Sequence, residues 1–293
     1  MPIQSSWRSL AIFLRRHSRE RANPSGRRLD AERWIPAFAA ITILVNGAAL
    51  AADAPLLDEH FAGPLDPNIW YIPTHDPKGD GTLIGRTQFR VTQDSALPVP
   101  SGGAVCMSIE TYGSRPNAFF GAQIITRREF AVGTGLDIQI RARMTSAEHR
   151  GIVGGMFLYS LKPGSDTLHD EVDFELLTNI PDRVETNLYG DEPLGDGHPQ
   201  AIPFGVGAIT DWHTYEVVWK PDRVSWLVDG KTVRTATENV PLRPMNLYLN
   251  IWAPDHWWPL AYSNSIQPAS SRDSNSVLGA LCVDHVIVRA LSK

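Results

Sequence analysis

Only two cysteines, Cys106 and Cys282, occur in 293 residues. With no C-x-x-C pair and no Cys/His cluster at zinc spacing, a structural zinc site is excluded. Both cysteines fall in segments that read as strands. A disulfide, which typically stabilises by about 2 to 4 kcal/mol, and a pair of buried free thiols therefore stay equally open. Charged residues are scarce at 20%, against 43% apolar ones. That balance excludes a disordered chain and allows one sizeable core. Positive charge is scarcer still beyond the N-terminus. The first 34 residues carry eight Arg against Glu20, Asp30 and Glu32, so a net charge of −5 leaves the remainder with a surplus of ten acids. A body so acidic excludes nucleic acid as a partner, because phosphate neutralisation needs clustered Lys and Arg.

Long apolar runs are missing as well. The one candidate, WIPAFAAITILVNGAALAA (34 to 52), is short and interrupted by Pro36, Asn46 and Gly47, which argues against a spanning helix. It follows the basic stretch and ends in small residues, with Ala49 and Ala51 at the −3 and −1 positions of a cleavage site. This is the layout of a secretory signal peptide. Residues 1–52 are therefore expected to be a basic leader and signal peptide, and residues 53–293 a mature domain. That domain is expected to be secreted, extracellular or periplasmic, and free of the membrane after cleavage. An uncleaved anchor is the alternative. The leader is longer than such a signal needs, and a start codon placed too far upstream would account for it.

Helical periodicity is absent after about residue 55. Short alternating segments punctuated by Gly, Pro, Asn and Asp take its place, and they predict an all-β domain. Predicted strands are QFRVTQ (88 to 93), AVCMSIETY (104 to 112), AQIITRREF (122 to 130), LDIQIRARM (136 to 144) and GGMFLYSL (154 to 161), then EVDFELL (171 to 177), VETNLYG (184 to 190), HTYEVVWK (213 to 220), NLYLNIWA (246 to 253) and CVDHVIVRA (282 to 290). The dipeptide Asp229-Gly230 between RVSWLV and KTVRTA predicts a two-residue hairpin turn in which both residues take positive φ. So many strands in one domain fit a two-sheet antiparallel sandwich better than a small barrel. Residues 191–205 and the Ser-rich stretch 263–280 read as long surface loops.

What is present in concentration is acid on one strand. In Glu171-Val172-Asp173-Phe174-Glu175 the two-residue period sends three carboxylates to one face and two apolar side chains to the other. The pattern alone is modest evidence, since chance supplies roughly 0.07 such matches in a chain of this composition. A solvated edge strand would also tolerate it. Against that reading, three like charges repel one another, and the neighbouring predicted strands offer aromatics rather than Lys or Arg. Glycoside cleavage uses such a group well. A retaining mechanism needs an ionised carboxylate as nucleophile and a protonated one as acid, about 5 to 5.5 Å apart. Since positions i and i+4 of a straight strand lie roughly 13 Å apart, the strand must curve so that the two Glu lean inward. A metal site at His169, Asp170 and Glu171 is a weaker rival, because consecutive strand residues face opposite ways.

The segment HDEVDFELLTN (169 to 179) resembles the catalytic strand of glycoside hydrolase family 16, which includes lichenases, laminarinases, agarases and xyloglucan endotransglycosylases. Its unbulged E-x-D-x-E spacing is similar to the lichenase and xyloglucan branches. GAQIITRREF (121 to 130), GIVGGMFL (151 to 158), DWHTYEVVWKPDRVSWLVDGKTV (211 to 233), NLYLNIWAPDHWW (246 to 258) and VDHVIV (283 to 288) match other blocks in order. The resemblance implies a concanavalin A-like jelly roll with a concave glycan cleft, acting as a monomer on a β-glucan polysaccharide or oligosaccharide. It makes Glu171 the nucleophile, Asp173 its assistant and Glu175 the acid/base, and places His169, Asn187, Tyr189, Asn250, Trp252 and Trp257 against substrate. Ile125, Arg141 and His169 depart from residues common in parts of the family, which leaves the glucan open. A noncatalytic glycan-binding domain and a transglycosylase are the alternatives. No cofactor is implied for catalysis. Some members hold a structural Ca²⁺ on the convex face, which Asp284 and Glu59 would match here.

Overall fold

The computed structural model describes residues 54–73, 83–89, 99–113, 118–205, 207–273 and 275–292. The leader, its cleavage site and most of the expected strand at 88–93 lie outside the described residues. All regular elements among those residues are strands, numbered here along the chain. One seven-stranded sheet runs β13 (Gln200–Pro203), β12 (Arg183–Pro193), β11 (Leu168–Leu177), β10 (Val153–Leu161), β17 (Asn246–Trp252), β8 (Gln123–Thr126) and β2 (Trp70–Tyr71). The second sheet follows the order β16 (Lys231–Ala236), β15 (Arg223–Val228), β14 (His213–Lys220), β9 (Leu136–Met144), β18 (Val277–Ala290), β6 (Ala104–Thr111), β7 (Phe119–Gly121), β4 (Thr87–Phe89) and β3 (Leu83–Ile84). Two more strands join it, β1 (Leu57–Glu59) on β18 and β5 (Val99–Ser101) on β6. Every pairing is antiparallel except β4 with β7. This is the two-sheet sandwich that the alternation predicts, in the jelly-roll form that the resemblance implies.

The second sheet is wet on its outer face, and its strands show it. LDIQIRARM of β9 and HTYEVVWK of β14 bury every second residue, and the buried set meets the seven-stranded sheet across the core. Trp219, Trp226, Tyr215 and Phe174 are among the largest fully buried side chains there. Burying each such aromatic removes upward of ~150 Å² from water, so these residues dominate the core energetics. Their polar ends are matched: Trp219 Nε1 donates to the Pro241 carbonyl and Trp226 Nε1 to that of Asp173, each at 2.9 Å. The second bond ties the back sheet to the middle of the acidic strand.

Asp229 and Gly230 adopt φ of 51° and 75°, as the predicted turn requires. The Asp229 carboxylate then accepts from the Thr214 amide at 2.9 Å and lies 2.6 Å from His213 Nδ1. Cys106 and Cys282 face each other in register on β6 and β18 and form a disulfide spanning 176 residues of sequence, which decides between the two readings of the thiols. Two expected loops are shorter than predicted. β18 begins at Val277, because Leu278, Ala280 and Leu281 bury apolar side chains that a Ser-rich neighbourhood obscured. Residues 200–203 of the other loop add an edge strand to the start of β12.

Candidate active site

The outer face of the seven-stranded sheet carries a cavity of about 620 Å³. Register across the sheet orders its floor into rows. Asn250, Gly155, Glu175 and Glu185 lie opposite one another on β17, β10, β11 and β12. The next row is Tyr248, Phe157, Asp173 and Asn187, and the third is Asn246, Tyr159, Glu171 and Tyr189. One strand parity therefore brings Glu171, Asp173 and Glu175 to a single face, while Val172, Phe174 and Leu176 fill the core behind. His169, Asn187, Tyr189, Asn250, Trp252 and Trp257 all line the same cavity, so the structure gathers every expected catalytic and substrate-facing residue in one place.

No Lys or Arg lines this cavity among the described residues, and the carboxylates must settle their repulsion by holding protons. Burial, then the charges of Glu171 and Glu175, push Asp173 well above the usual aspartate range. Glu175 rises well above its usual range too, through burial first and then the charges of Glu185 and Glu171. Glu171 is placed differently. The His169 ring stacks on Tyr159 and tilts against Tyr189, at centroid distances of 5.4 and 4.4 Å. Its Nε2 sits 3.1 Å from Glu171 Oε2, near enough for an ion pair although the N–H is not aimed squarely at that oxygen. Its Nδ1 lies 3.1 Å from the Thr167 carbonyl. Burial works to lower the His169 pKa, but hydrogen bonding to Glu171, that carboxylate's charge, the Thr167 carbonyl and Asp170 together raise it.

Asp170 faces the other way, as alternation demands. It pairs with Arg243 at 2.6 Å and accepts from the amides of Asp191 and Arg243 at 2.7 and 3.0 Å. That bracing excludes it from the His169 and Glu171 group, and no cluster fit to hold a metal occurs among the described residues. Trp252 is both core and wall. It is 4% exposed, and its ring packs beside Trp257 and Trp258, with centroids 6.4 and 5.7 Å away.

Several lining residues escaped the sequence reading. Phe157 and Tyr159 share the face of the three acids from β10, and Glu185 does so from β12, two residues before Asn187. Alternation outward from Asn187 and Tyr189 is the signal that would have found Glu185. The last residue of β12, Pro193, and the loop after it, through Leu194, Gly195, Gly197 and Pro199, add to the lining. Gly197 lies so close over the Tyr189 ring that a Cβ would come within 2.4 Å of its Cζ.

The expected Ca²⁺ donors do not fit that ion. Arg141 Nη1 bonds Asp284 Oδ2, and His285 Nδ1 lies 2.9 Å from Asp284 Oδ1. Glu59 accepts from the Phe61 amide at 2.7 Å and from Trp70 Nε1 at 3.0 Å. A guanidinium already neutralises Asp284, and Glu59 has spent its oxygens locally.

Residues 86–263 match the family model for Glycosyl hydrolases family 16, a span of more than half the chain. The chain belongs to that family. Among its relatives are the β-glucanase of Paenibacillus polymyxa, 38% identical over 109 residues covering 37% of this chain and 44% of that protein, and the β-glucanase of Bacillus subtilis (strain 168), 34% identical over 130 residues covering 43% and 51%. The chain thus spans about half the length of these relatives. Its family 16 fold is also that of the Bacillus licheniformis β-glucanase, with a TM-score of 0.63 at 22% identity over 80% of this chain and 98% of that one. A lichenase from a mouse hindgut metagenome aligns with a TM-score of 0.61 at 24% identity, over 80% and 99%.

Proposed function

We propose that this family 16 chain is an endo-acting glycoside hydrolase that cuts an uncharged β-linked glucan by double displacement, with retention at the anomeric carbon. One observation carries the reading. Two glutamates in the same cavity are set to opposite tasks, Glu175 holding a proton through burial and the charges of Glu185 and Glu171, and Glu171 resting against the His169 ring. Divergent environments for paired carboxyls are what acid and nucleophile require.

In the first step a Glu171 oxygen bonds the anomeric carbon as the glycosidic C–O bond breaks, and Glu175 gives its proton to the departing oxygen. In the second, the Glu175 carboxylate takes a proton from water while the water oxygen replaces Glu171 at that carbon. Asp173, between them and held protonated, donates a hydrogen bond rather than a third charge. A cavity with several carboxylates and, among the described residues, no lining Lys or Arg disfavours sulfated or uronate polymers, and Trp252, Trp257 and Trp258 suit the apolar faces of neutral pyranoses. The β-glucanase names of the relatives support β-glucan as the substrate. The cystine supports export to an oxidising compartment, in keeping with the signal-like N-terminus.

The test is release of reducing ends from a panel of neutral β-glucans. Wild type should shorten at least one polymer internally, and Glu171→Gln should abolish this while retaining glycan binding. Equal binding by both proteins with no reducing ends from either would replace the enzyme by a glycan-binding module.

A further inference from the structure

The floor row Asn250, Gly155, Glu175 and Glu185 contains a carboxyl that double displacement does not use. Glu185 is 3% exposed, lines the cavity and stands directly across the β11–β12 pair from Glu175. Directly opposed strand residues have Cβ atoms about 4.5 to 5.5 Å apart, so two glutamate carboxyls at these positions can share one proton. The other end of the row is built for a proton as well. Asn250 is 2% exposed and donates through Nδ2 to Gln123 Oε1 at 3.1 Å, which leaves its Oδ1 a buried acceptor with no donor. That oxygen lies over Gly155, where a Cβ would come within 2.5 Å of it, and Gly155 is the one residue separating Asn250 from Glu175. Glu175 lies across Gly155 from that acceptor, so a proton on Glu175 is on the side from which a donor would come.

Resting on the glycosidase reading above, we propose that Glu185 is a positioning residue for the acid/base: it shares a proton with Glu175 across the strand pair and keeps Glu175 in its acid form. The surrounding groups leave that task to the pair. On β11 the charged or titratable neighbours are Glu171 and Asp173, on β12 Tyr189, and on β10 Tyr159, none of them a cation. On β13 Gln200 and Ala201 lie alongside, and neither titrates. From behind the sheet, buried Arg234 on β16 bonds the Thr186 carbonyl and hydroxyl at 2.9 and 3.0 Å rather than either glutamate. Burial raises Glu185 to about 7 and its charge is the largest electrostatic push on Glu175, in accord with the geometry. Once Glu175 has passed its proton to the leaving oxygen, repulsion from Glu185 makes it the stronger base for the water of the second step.

Two measurements test this. In wild type the alkaline limb of the kcat/KM profile on β-glucan reports loss of the Glu175 proton, and Glu185→Gln should move that limb down by about one pH unit with the acidic limb in place. Glu185→Asp should restore it in part, which a merely structural role would not do. The second readout needs no turnover: carbon-13 NMR titration of carboxyl-labelled Glu in folded protein, with Glu175→Gln identifying the signal. Glu175 should titrate at lower pH in Glu185→Gln than in wild type. An unmoved Glu175 signal in the folded variant overturns the proposal, whatever the activity. A shifted signal with no sugar release from wild type would sustain the carboxyl pair and overturn the glycosidase reading instead.

Discussion

The His169 ring bridges Glu171 and the chain itself: Nε2 lies 3.1 Å from Glu171 Oε2 and Nδ1 lies 3.1 Å from the Thr167 carbonyl oxygen. The Glu171 carboxylate beside one nitrogen and the Thr167 carbonyl beside the other favour the doubly protonated imidazolium. In that form the ring places a positive charge beside Glu171, next to acids that hold protons. Because the native His169 pKa is raised, the contact stabilises the fold fully below the ordinary histidine range, near pH 6.5, and the contribution is lost as pH rises through the native value.

His169→Gln keeps a hydrogen-bonding group and loses the charge. Its kcat/KM should fall on the order of tenfold. In thermal melts against pH, the wild-type advantage over this variant should be largest in mild acid and shrink towards alkaline pH. An advantage that grows with pH would show the ring to be neutral in the folded protein.

Adjacent glycines on β10 separate the two faces of the sheet. At Gly154 a Cβ would meet Met144 Sδ at 2.7 Å and Leu281 Cδ1 at 3.2 Å in the core, while at Gly155 it would displace Asn250 Oδ1. Gly154→Ala should therefore cost about 1 kcal/mol in denaturant unfolding, since both side chains it meets can rotate, and leave kcat near wild type. Gly155→Ala should barely change stability and lower kcat/KM on the order of ten- to a hundredfold, by displacing the Asn250 amide on the cavity floor. Reversed effects would mean that Asn250 has no part in the site.

Much of this was legible in the residues. Strand parity gave Glu171, Asp173 and Glu175 a common face, and Asp229-Gly230 marked its hairpin, because both rest on local geometry that neighbours do not alter. What was not legible depends on pairing. Glu185 reads as one more polar residue on an alternating strand until register sets it opposite Glu175. Tyr159 and His169 lie on different strands and meet only because β10 pairs with β11. The start of β18 was missed because Ser and Asn just before it read as loop, whereas Leu278 and Leu281 are held by the core.

The same dependence on pairing bears on calcium. Arg141 and Asp284 come from neighbouring strands of the second sheet, β9 and β18, and their ion pair puts a fixed cation where a divalent ion would need an open carboxylate. Chelation with EGTA should leave the melting temperature unchanged. Arg141→Met should lower stability by about 1 kcal/mol, a modest cost because the pair is partly exposed. If EGTA lowers the melting temperature and added Ca²⁺ restores it, donors other than Asp284 and Glu59 hold the ion.

Glu171 and Glu175 can be told apart by what replaces them. Without Glu175 the leaving oxygen must depart unprotonated, so Glu175→Ala should lose about 10² to 10⁴ in kcat on polysaccharide. It should lose far less in the first step with an aryl β-glycoside whose phenol is acidic, since that oxygen needs no proton. The glycosyl-enzyme on Glu171 then accumulates, because no base activates water, and a burst of phenol precedes slow turnover. Azide needs no deprotonation and should restore turnover of this variant, giving a glycosyl azide of β configuration after two displacements. In Glu171→Ala azide instead fills the space of the lost nucleophile and attacks once, so the product should be the α azide. NMR of the anomeric proton distinguishes the two. Exchanged anomers would reverse the roles assigned to Glu171 and Glu175, and the same anomer from both variants would dissolve them.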